Sequence, residues 1–187
     1  MDGQVKRREA VVYVHRLPEN NKLKPAEISE TGRRLLAFAL KEQCGFDGSL
    51  PRVAKGDQGK PYFPDHPGIE FNISHSGLYV VLALSEYPVG IDVQEISDMD
   101  FNAIGKRVLS ESEYLDFLRS DNPGESFFRT WVRKEAYVKW TGEGITRELR
   151  DLPMDGWYQY IEIDRRYFCA IWAALPLRVE VEEVQYL

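Results

Sequence analysis

Strand-like and helix-like segments do not alternate regularly along this chain of 187 residues. Three strand patterns follow one another in the first half, and three more follow two consecutive helical patterns in the second half. Regular alternation builds parallel sheets from strand–helix–strand units, whereas blocks of strands and of helices indicate an α+β fold. The predicted strands lie at 9–15, 71–74, 79–84, 89–94, 157–163, 167–173 and 178–184, and the predicted helices at 25–44, 110–118 and 125–140.

A turn at Tyr87-Pro88 divides these predicted elements into two halves, residues 1–89 and 90–187. Each half combines a long helix with a set of strands of antiparallel appearance. The length suits one domain, or two small halves that share a core. We therefore expect an α+β fold with a boundary near Tyr87–Gly90.

Charge is distributed unevenly between the two parts of the chain. Residues 1–60 contain 12 Lys and Arg against 8 Asp and Glu, a net charge of +4, whereas residues 61–187 contain 12 against 22, a net charge of −10. The basic residues are scattered rather than arranged in a dense stripe, which argues against a nucleic-acid-binding protein. The pattern favours a small anion bound by the first part and a cation bound by the second.

The sequence gives no indication of export or of a membrane. The two cysteines, Cys44 and Cys169, are far apart, and the first residues include no apolar signal-peptide stretch. The longest apolar runs have the length of a strand and are far shorter than the ~20 residues of a membrane helix. We expect a cytoplasmic protein that does not contact membranes.

An acidic residue interrupts the predicted strand Val89-Gly90-Ile91-Asp92-Val93-Gln94-Glu95. Successive strand residues point to opposite faces, so Asp92 and Gln94 share one face and Glu95 lies on the other. A carboxylate in an apolar strand is costly unless it is solvated, paired or bound to a metal. The alternative interpretation is an aspartate that opens a turn at the end of the strand.

The predicted helix at 125–140 carries Trp131, Glu135 and Lys139 along one face. These residues could form only a surface Glu–Lys pair beside a core tryptophan. If the helix packs on the strand that holds Asp92, however, two carboxylates and an ammonium converge. Mg²⁺ commonly binds one or two carboxylates and takes its other ligands from water and substrate phosphates. A neighbouring lysine could then neutralise phosphate charge in the transition state.

Three further segments contain residues that suit anion binding. In Phe71-Asn72-Ile73-Ser74-His75-Ser76, adjacent Ser74 and His75 point to opposite faces, and the chain has no GxSxG elbow, which argues against a serine hydrolase. These two side chains could instead donate hydrogen bonds to a phosphate. Lys60, between Gly59 and Pro61, could bind an anion or belong to a plain loop, and Arg33-Arg34 could add positive charge or form a solvated helix face. The three histidines have no zinc-site spacing.

The order of these motifs resembles the Sfp-type 4'-phosphopantetheinyl transferases. The resemblance is carried by Gly59-Lys60-Pro61, Phe71-Asn72-Ile73-Ser74-His75-Ser76, Gly90-Ile91-Asp92-Val93 and Trp131-Val132-Arg133-Lys134-Glu135-Ala136-Tyr137-Val138-Lys139, followed by Gly142 and Gly144. It covers about residues 30–175. Each motif is weak by itself, but the four in this order form a specific signal.

The resemblance implies a fold of two pseudo-symmetric halves and an enzyme that transfers the phosphopantetheine arm of coenzyme A to a serine of an acyl or peptidyl carrier protein, releasing 3',5'-ADP. It implies coenzyme A and Mg²⁺ in a cleft between the two halves, and a monomeric enzyme. Asp92 and Glu135 would bind the metal, Glu135 and Lys139 would serve catalysis, and Lys139 would contact the pyrophosphate. The residues implied on the coenzyme A side are Arg33, Arg34, Lys60, Pro61, Ser74 and His75.

One position departs from the motif of this family, which usually reads Gly-Ile-Asp-x-Glu. Gln94 stands where the glutamate would be, and its amide oxygen can ligate Mg²⁺ but lacks the charge. We therefore expect weaker metal binding rather than loss of activity. Two alternatives remain open: a non-catalytic module that binds coenzyme A or a carrier protein, and a Mg²⁺-dependent nucleotide phosphohydrolase.

The carrier protein would contact apolar residues near the cleft. The candidates are Phe101, Ile104, Val108 and Leu109, with the basic residues Lys106 and Arg107 beside them. The same residues could equally be the core and the solvated face of a helix.

Overall fold

The computed structural model describes residues 8–19, 23–47, 49–144 and 149–187. The strands are Glu9–Arg16 (β1), Ala54–Lys55 (β2), Pro61–Tyr62 (β3), Glu70–Ser76 (β4), Tyr79–Ser85 (β5), Val89–Glu95 (β6), Trp157–Tyr160 (β7), Tyr167–Ala173 (β8) and Arg178–Val184 (β9). The helices are Pro25–Cys44 (α1), Phe101–Val108 (α2), Glu111–Arg119 (α3) and Pro123–Thr141 (α4), with a short 3₁₀ helix at Leu149–Asp151. The predicted mixed α+β class is confirmed.

Two larger sheets and a two-stranded hairpin organise the described residues. The first sheet has the order β4-β5-β1-β9, and β1 is antiparallel to β5 but parallel to β9. The second sheet has the order β6-β8-β7 with antiparallel pairs throughout, and β2 pairs with β3. The last strand of the chain therefore completes the sheet that the first strand begins.

The two larger sheets pack against each other through a shared apolar core. Val12 and Val81 of the first sheet lie in one buried cluster with Ile91 and Ile171 of the second. Helix α1 covers the other face of the first sheet, and α2–α4 cover the other face of the second. No helix within the described ranges is long and apolar enough to cross a membrane.

Strands β4 and β6 meet through side chains rather than through a backbone ladder. Three polar side chains of β4 accept hydrogen bonds from three alternate backbone N–H groups of β6, as the two-residue period of a strand allows. The pairs are Ile91 N to Asn72 Oδ1 (2.9 Å), Val93 N to Ser74 Oγ (3.3 Å) and Glu95 N to Ser76 Oγ (3.0 Å). We call this contact the β4–β6 seam.

Helix α4 lies directly against β6 at Gly90. A Cβ atom at this position would lie only 2.1 Å from the carbonyl oxygen of Ala136 and 2.4 Å from the backbone nitrogen of Trp140. The helix begins after Asn122, whose side chain accepts from the backbone N–H of Glu125, and ends at Gly142 in the left-handed region. The absence of a side chain at Gly90 therefore sets how closely α4 approaches the strand.

Candidate active site

The close approach of α4 to β6 brings together the two charged motifs of the sequence. Asp92 lies two residues after Gly90 on the same face of β6, and it is 2% exposed. Glu135 is also buried, so the Glu135–Lys139 pair is not the surface pair of the alternative interpretation. The ammonium of Lys139 lies 2.6 Å from Asp92 Oδ1. The structure thus places two carboxylates and one ammonium at the junction of α4 and β6.

Ser74 is a further member of this group. Its hydroxyl is 2.8 Å from Asp92 Oδ1 and 2.7 Å from Lys139 Nζ. The Ser74 side chain is buried, and it forms the middle contact of the β4–β6 seam. The expected contact between Ser74 and coenzyme A stays a prediction, because the hydroxyl is directed to groups within the protein.

The two carboxylate oxygens of Asp92 differ in their hydrogen bonding. Asp92 Oδ2 is buried and has no hydrogen-bond partner among the described residues. Burial raises the pKa of Glu135, and the negative charge of Asp92 raises it further, while Lys139 partly opposes the shift. A buried carboxylate oxygen without a partner beside a second carboxylate is a donor set that suits a hard cation. Within the described part of the chain, no group of three or more His, Cys, Asp or Glu side chains could hold a metal.

The structure places Gln94 and Glu95 as strand alternation predicts. Gln94 is half-buried and shares the Asp92 face of β6. Glu95 lies on the opposite face, where its carboxylate is close to Gly77 and to the hydroxyl of Tyr167. Glu95 therefore does not replace the missing carboxylate at position 94.

Lys60 reaches the same region from the loop before β3. Its ammonium donates to the carbonyl oxygens of Trp140 (2.9 Å) and Val89 (3.3 Å), which ties the loop to the end of α4 and the start of β6. Burial lowers the pKa of Lys60, and the negative charge of Glu70 opposes this shift. The hydrogen bonds in this structure are those of a cation at a helix C-terminus, where lysine is favourable. Its expected contact with coenzyme A stays a prediction.

A cavity of about 240 Å³ connects this loop to Glu135, and Asp92 is not part of its lining. Its lining includes Lys60, Pro61, Asn72, Glu135 and Lys139. A larger depression of about 830 Å³ lies elsewhere, around the start of α4 and the segment before β8, and its lining contains none of the residues predicted to bind coenzyme A or the metal. The smaller cavity therefore lies between Lys60 and Pro61, which are predicted to bind coenzyme A, and Glu135, which is predicted to bind the metal.

The remaining predicted anion-binding residues lie at the surface. His75 is exposed on the face of β4 opposite Ser74, and partial desolvation lowers its pKa, as does the positive charge of Lys139, against the opposing effect of Asp92. Arg33 and Arg34 are exposed on α1, and Arg33 is 3.5 Å from Glu30. The structure does not bring these arginines into contact with the Asp92 group.

Sequence reasoning missed a second charged group on α4. Lys134 is 1% exposed, and its ammonium lies 2.8 Å from Glu113 Oε2 and donates to the carbonyl oxygen of Leu149 at 2.7 Å. Arg133 donates to Glu113 Oε1 at 2.9 Å. The sequence feature that could have revealed this group is the capping box at Ser110–Glu113. Its glutamate also accepts a hydrogen bond from the backbone N–H of Ser110.

Residues 101–108 form the packed helix α2, which favours helix core and solvated face over an apolar surface for the carrier protein. Val108 and Leu109 are buried in the core beneath α4, and Phe101 packs against Phe127. Val108 and Leu109 are therefore wrong as surface residues, because the apolar face of α2 turns inward. Lys106 and its neighbour Arg107 are exposed, as the charged face of an amphipathic helix should be.

Comparison with known proteins finds one family across this part of the chain. A family model for the 4'-phosphopantetheinyl transferase superfamily matches residues 88–164, which include β6 and α4. The chain is 35% identical over 126 residues to 4'-phosphopantetheinyl transferase Sfp of Bacillus subtilis (strain 168), covering 66% of this chain and 54% of that protein. It is 44% identical over 126 residues to 4'-phosphopantetheinyl transferase gsp of Aneurinibacillus migulanus, covering 66% of this chain and 52% of that protein.

A third relative is 4'-phosphopantetheinyl transferase AcpT of Escherichia coli (strain K12), which is 37% identical over 115 residues and matches 59% of this chain and 55% of its own length. The chain spans about half the length of the curated relatives it matches. The predicted resemblance to the Sfp-type 4'-phosphopantetheinyl transferases is confirmed.

Proposed function

We propose that this protein transfers the 4'-phosphopantetheine arm of coenzyme A to a serine of an apo acyl or peptidyl carrier protein. The serine oxygen forms a bond to the phosphorus that bears the pantetheine, the pyrophosphate P–O bond breaks, and 3',5'-ADP leaves. The observation that supports this proposal is the buried group of Asp92, Glu135 and Lys139, with Asp92 Oδ2 lacking a partner. The names of the relatives support the same reaction.

The protein's own residues supply a base and a cation for this reaction. A serine hydroxyl is a weak nucleophile and needs a base within reach. Glu135 accepts the serine proton, directly or through water, as a general base. Lys139 neutralises charge that develops on the pyrophosphate.

A divalent cation, Mg²⁺ by the family resemblance, would be held by Asp92 and Glu135, with the amide oxygen of Gln94 as a further ligand. Asp92 Oδ2 fits this role because it is buried without another partner. When bound, Mg²⁺ would neutralise negative charge on the pyrophosphate. The residues proposed on the coenzyme A side are Arg33, Arg34, Lys60, Pro61, Ser74 and His75.

We further propose that residues 1–89 and 90–187 form two pseudo-symmetric halves around this site. Three strands pair in the same way in each half: β5 lies between β1 and β4 in one, β8 lies between β6 and β7 in the other, and all four pairs are antiparallel. The remaining long strand of the second half, β9, joins the first sheet beside β1. A long helix, α1 or α4, covers the outer face of each set. Because the halves pair within one chain, we propose a monomer, and a cytoplasmic one.

Intact mass spectrometry of an apo carrier protein tests the transferase. After incubation with this protein, coenzyme A and Mg²⁺, the carrier should gain the mass of one phosphopantetheine. The gain should be absent with the Glu135→Gln variant and in the presence of EDTA. Cleavage of coenzyme A without a carrier would instead indicate a phosphohydrolase.

A non-catalytic coenzyme A or carrier-protein module is the second candidate, and Gln94 is the observation that favours it. It is distinguished by coenzyme A binding that is indifferent to Mg²⁺, without transfer to several unrelated carriers. The Gln94→Glu variant would then identify the cause, since restored transfer would assign the loss to the missing charge.

A further inference from the structure

We propose that Asn72 is a further residue that binds coenzyme A, and that its side-chain amide nitrogen donates to an amide carbonyl oxygen of the pantetheine arm. This inference rests on the proposed function, because it concerns the substrate of the same reaction. It adds an uncharged amide donor to the residues already proposed on the coenzyme A side.

The β4–β6 seam fixes the direction in which the amide of Asn72 points. An asparagine side chain has one acceptor oxygen and a nitrogen with two N–H donors. The oxygen, Oδ1, accepts from the backbone N–H of Ile91 at 2.9 Å. Because a backbone N–H needs an acceptor, this contact assigns the oxygen to the side that faces β6. The nitrogen, Nδ2, is therefore directed away from the Ile91 N–H.

The amide nitrogen of Asn72 has no acceptor within the described part of the chain. The structure records no hydrogen bond from Nδ2 there, and Nδ2 is not one of the atoms sealed from solvent. Asn72 is 6% exposed and lines the cavity of about 240 Å³ that Glu135 and Lys139 also line. We infer that Nδ2 opens into this cavity. A nearly buried donor of this kind needs an acceptor from a molecule that enters the cavity, whether water or substrate.

The other residues around the cavity indicate which part of coenzyme A meets this donor. Pro61, Ile73 and Val138 are apolar, whereas Lys60 and Lys139 are cationic. Phosphate oxygens carry charge and pair most strongly with cations. The pantetheine arm is uncharged and combines methyl and methylene groups with two amide groups. An uncharged donor among apolar side chains therefore matches the arm, while the lysines match the pyrophosphate.

The β4–β6 seam also contains a matched control. Ser76 lies on the same face of β4 and accepts from the backbone N–H of Glu95 at 3.0 Å, as Asn72 accepts from Ile91. Ser76 is not part of the lining of the cavity. Substitution of either residue by alanine removes one seam bond, but only Asn72→Ala also removes the donor in the cavity.

The experiment compares the binding of two ligands by isothermal titration in the presence of Mg²⁺. One ligand is coenzyme A, and the other is adenosine 3'-phosphate 5'-diphosphate, which has the same adenosine and phosphates but no pantetheine arm. We expect Asn72→Ala to weaken the binding of coenzyme A about 3–10-fold, the usual effect of losing one hydrogen bond between uncharged groups. The affinity for the second ligand should change less than about twofold, and Ser76→Ala should change neither affinity by more than that.

The ratio of the two affinities is the quantity that tests the inference. If Asn72→Ala is partly unfolded, the apparent affinity for both ligands falls by the same factor, so the ratio is unaffected. Displacement of Asp92 on β6 would also weaken both ligands, since both contain the pyrophosphate. Equal losses for the two ligands would overturn the inference. A selective loss of coenzyme A affinity of the same size in Ser76→Ala would overturn it as well.

Transfer to a carrier protein, measured on the same variants, separates this inference from the proposed function. An unchanged ratio in Asn72→Ala, in a protein that transfers phosphopantetheine, would reject the inference alone. A selective loss of coenzyme A affinity, in a protein that binds coenzyme A and transfers nothing, would uphold the role of Asn72 and reject the transferase. Absence of coenzyme A binding by the unsubstituted protein would overturn both.

Discussion

Helix α4 carries two lysine–carboxylate pairs that differ in how their carboxylates are bound. In the Lys134 pair, Glu113 uses both oxygens, one with Lys134 and one with Arg133. In the Lys139 pair, Asp92 uses Oδ1 with Lys139 and leaves Oδ2 without a partner among the described residues. The lysines are only five positions apart in sequence and belong to the same family motif.

The acid–base properties of the neighbouring glutamates follow this difference. Burial acts to raise the pKa of Glu113, but hydrogen bonds from Lys134 and from the backbone of Ser110, together with the nearby cations, leave it below its ordinary value. Burial and the charge of Asp92 instead raise the pKa of Glu135. Glu113 is therefore a stabilising carboxylate, whereas the charge of Glu135 is a cost to the fold that a bound cation would relieve. The candidate active site differs from a structural ion pair because Asp92 Oδ2 lacks a hydrogen-bond partner among the described residues.

The largest expected effect is that of Glu135→Gln. Loss of the proposed base should lower kcat about 10²–10⁴-fold. Thermal unfolding of the metal-free protein should occur at a higher temperature, because the repulsion between Glu135 and Asp92 is removed. Glu125→Gln provides the control, since Glu125 lies on the same helix in an exposed pair with Arg129. A Glu135→Gln variant with unchanged kcat would contradict the assigned role.

The second prediction concerns Lys134→Met. The substitution removes a donor from Glu113 and from the buried carbonyl oxygen of Leu149, which should lower the free energy of unfolding by about 1–3 kcal/mol. Mg²⁺ affinity of the folded variant should stay unchanged, because Lys134 contacts Glu113 and backbone carbonyls rather than Asp92. Denaturant unfolding and titration calorimetry measure the two quantities.

The same substitution at the other pair, Lys139→Met, is the matched comparison. We expect the reverse pattern, with a smaller loss of stability and a large loss of transfer, since the Lys139 side chain is 29% exposed. Similar losses of stability at both positions would show that the two pairs are equivalent.

The third prediction affects both pairs through the packing of α4. Gly90→Ala places a methyl group against the backbone of the helix, and overpacking of this kind costs about 1–3 kcal/mol. Transfer should fall as well, because displacement of α4 moves Glu135 and Lys139 away from Asp92. Gly68→Ala is the control, since a Cβ there meets no heavy atom within 4 Å. Equal unfolding temperatures for the two variants would show that the strand and helix can separate without cost.

The smallest expected effect is in the pH dependence of stability. Because the pKa of Glu113 is lowered in the folded protein, its contribution is fully present above the ordinary glutamate pKa and is lost as the pH falls through the lowered value. Denaturant unfolding from neutral to acidic pH should show this loss in the unsubstituted protein and less of it in Glu113→Gln. Parallel curves for the two proteins would indicate that the pair does not contribute to acid sensitivity.

Much of the candidate site could be predicted from the periodicity of strands and helices. The rest could not be predicted, because it depends on tertiary contacts. Strand alternation predicted that Asp92 and Gln94 share a face, and helical spacing predicted that Glu135 and Lys139 do. The order of segments predicted the α+β class and most element bounds. The surroundings of Lys60 and Ser74 were not predictable, because their partners lie on β6 and α4, far away in sequence. The partners of Lys134 were missed for the same reason.

The parallel pairing of β9 with β1 has a consequence for how the chain is made. Residues paired across these strands, such as His15 and Val184, are separated by nearly the whole sequence. During synthesis, one edge of β1 stays without its partner until the ribosome has released β9, and contacts of such long range form slowly. An open strand edge invites pairing with other chains. The β1 edge of a nascent first sheet is therefore open to such pairing until β9 is in place, and shortening the chain before residue 178 would leave that edge exposed permanently.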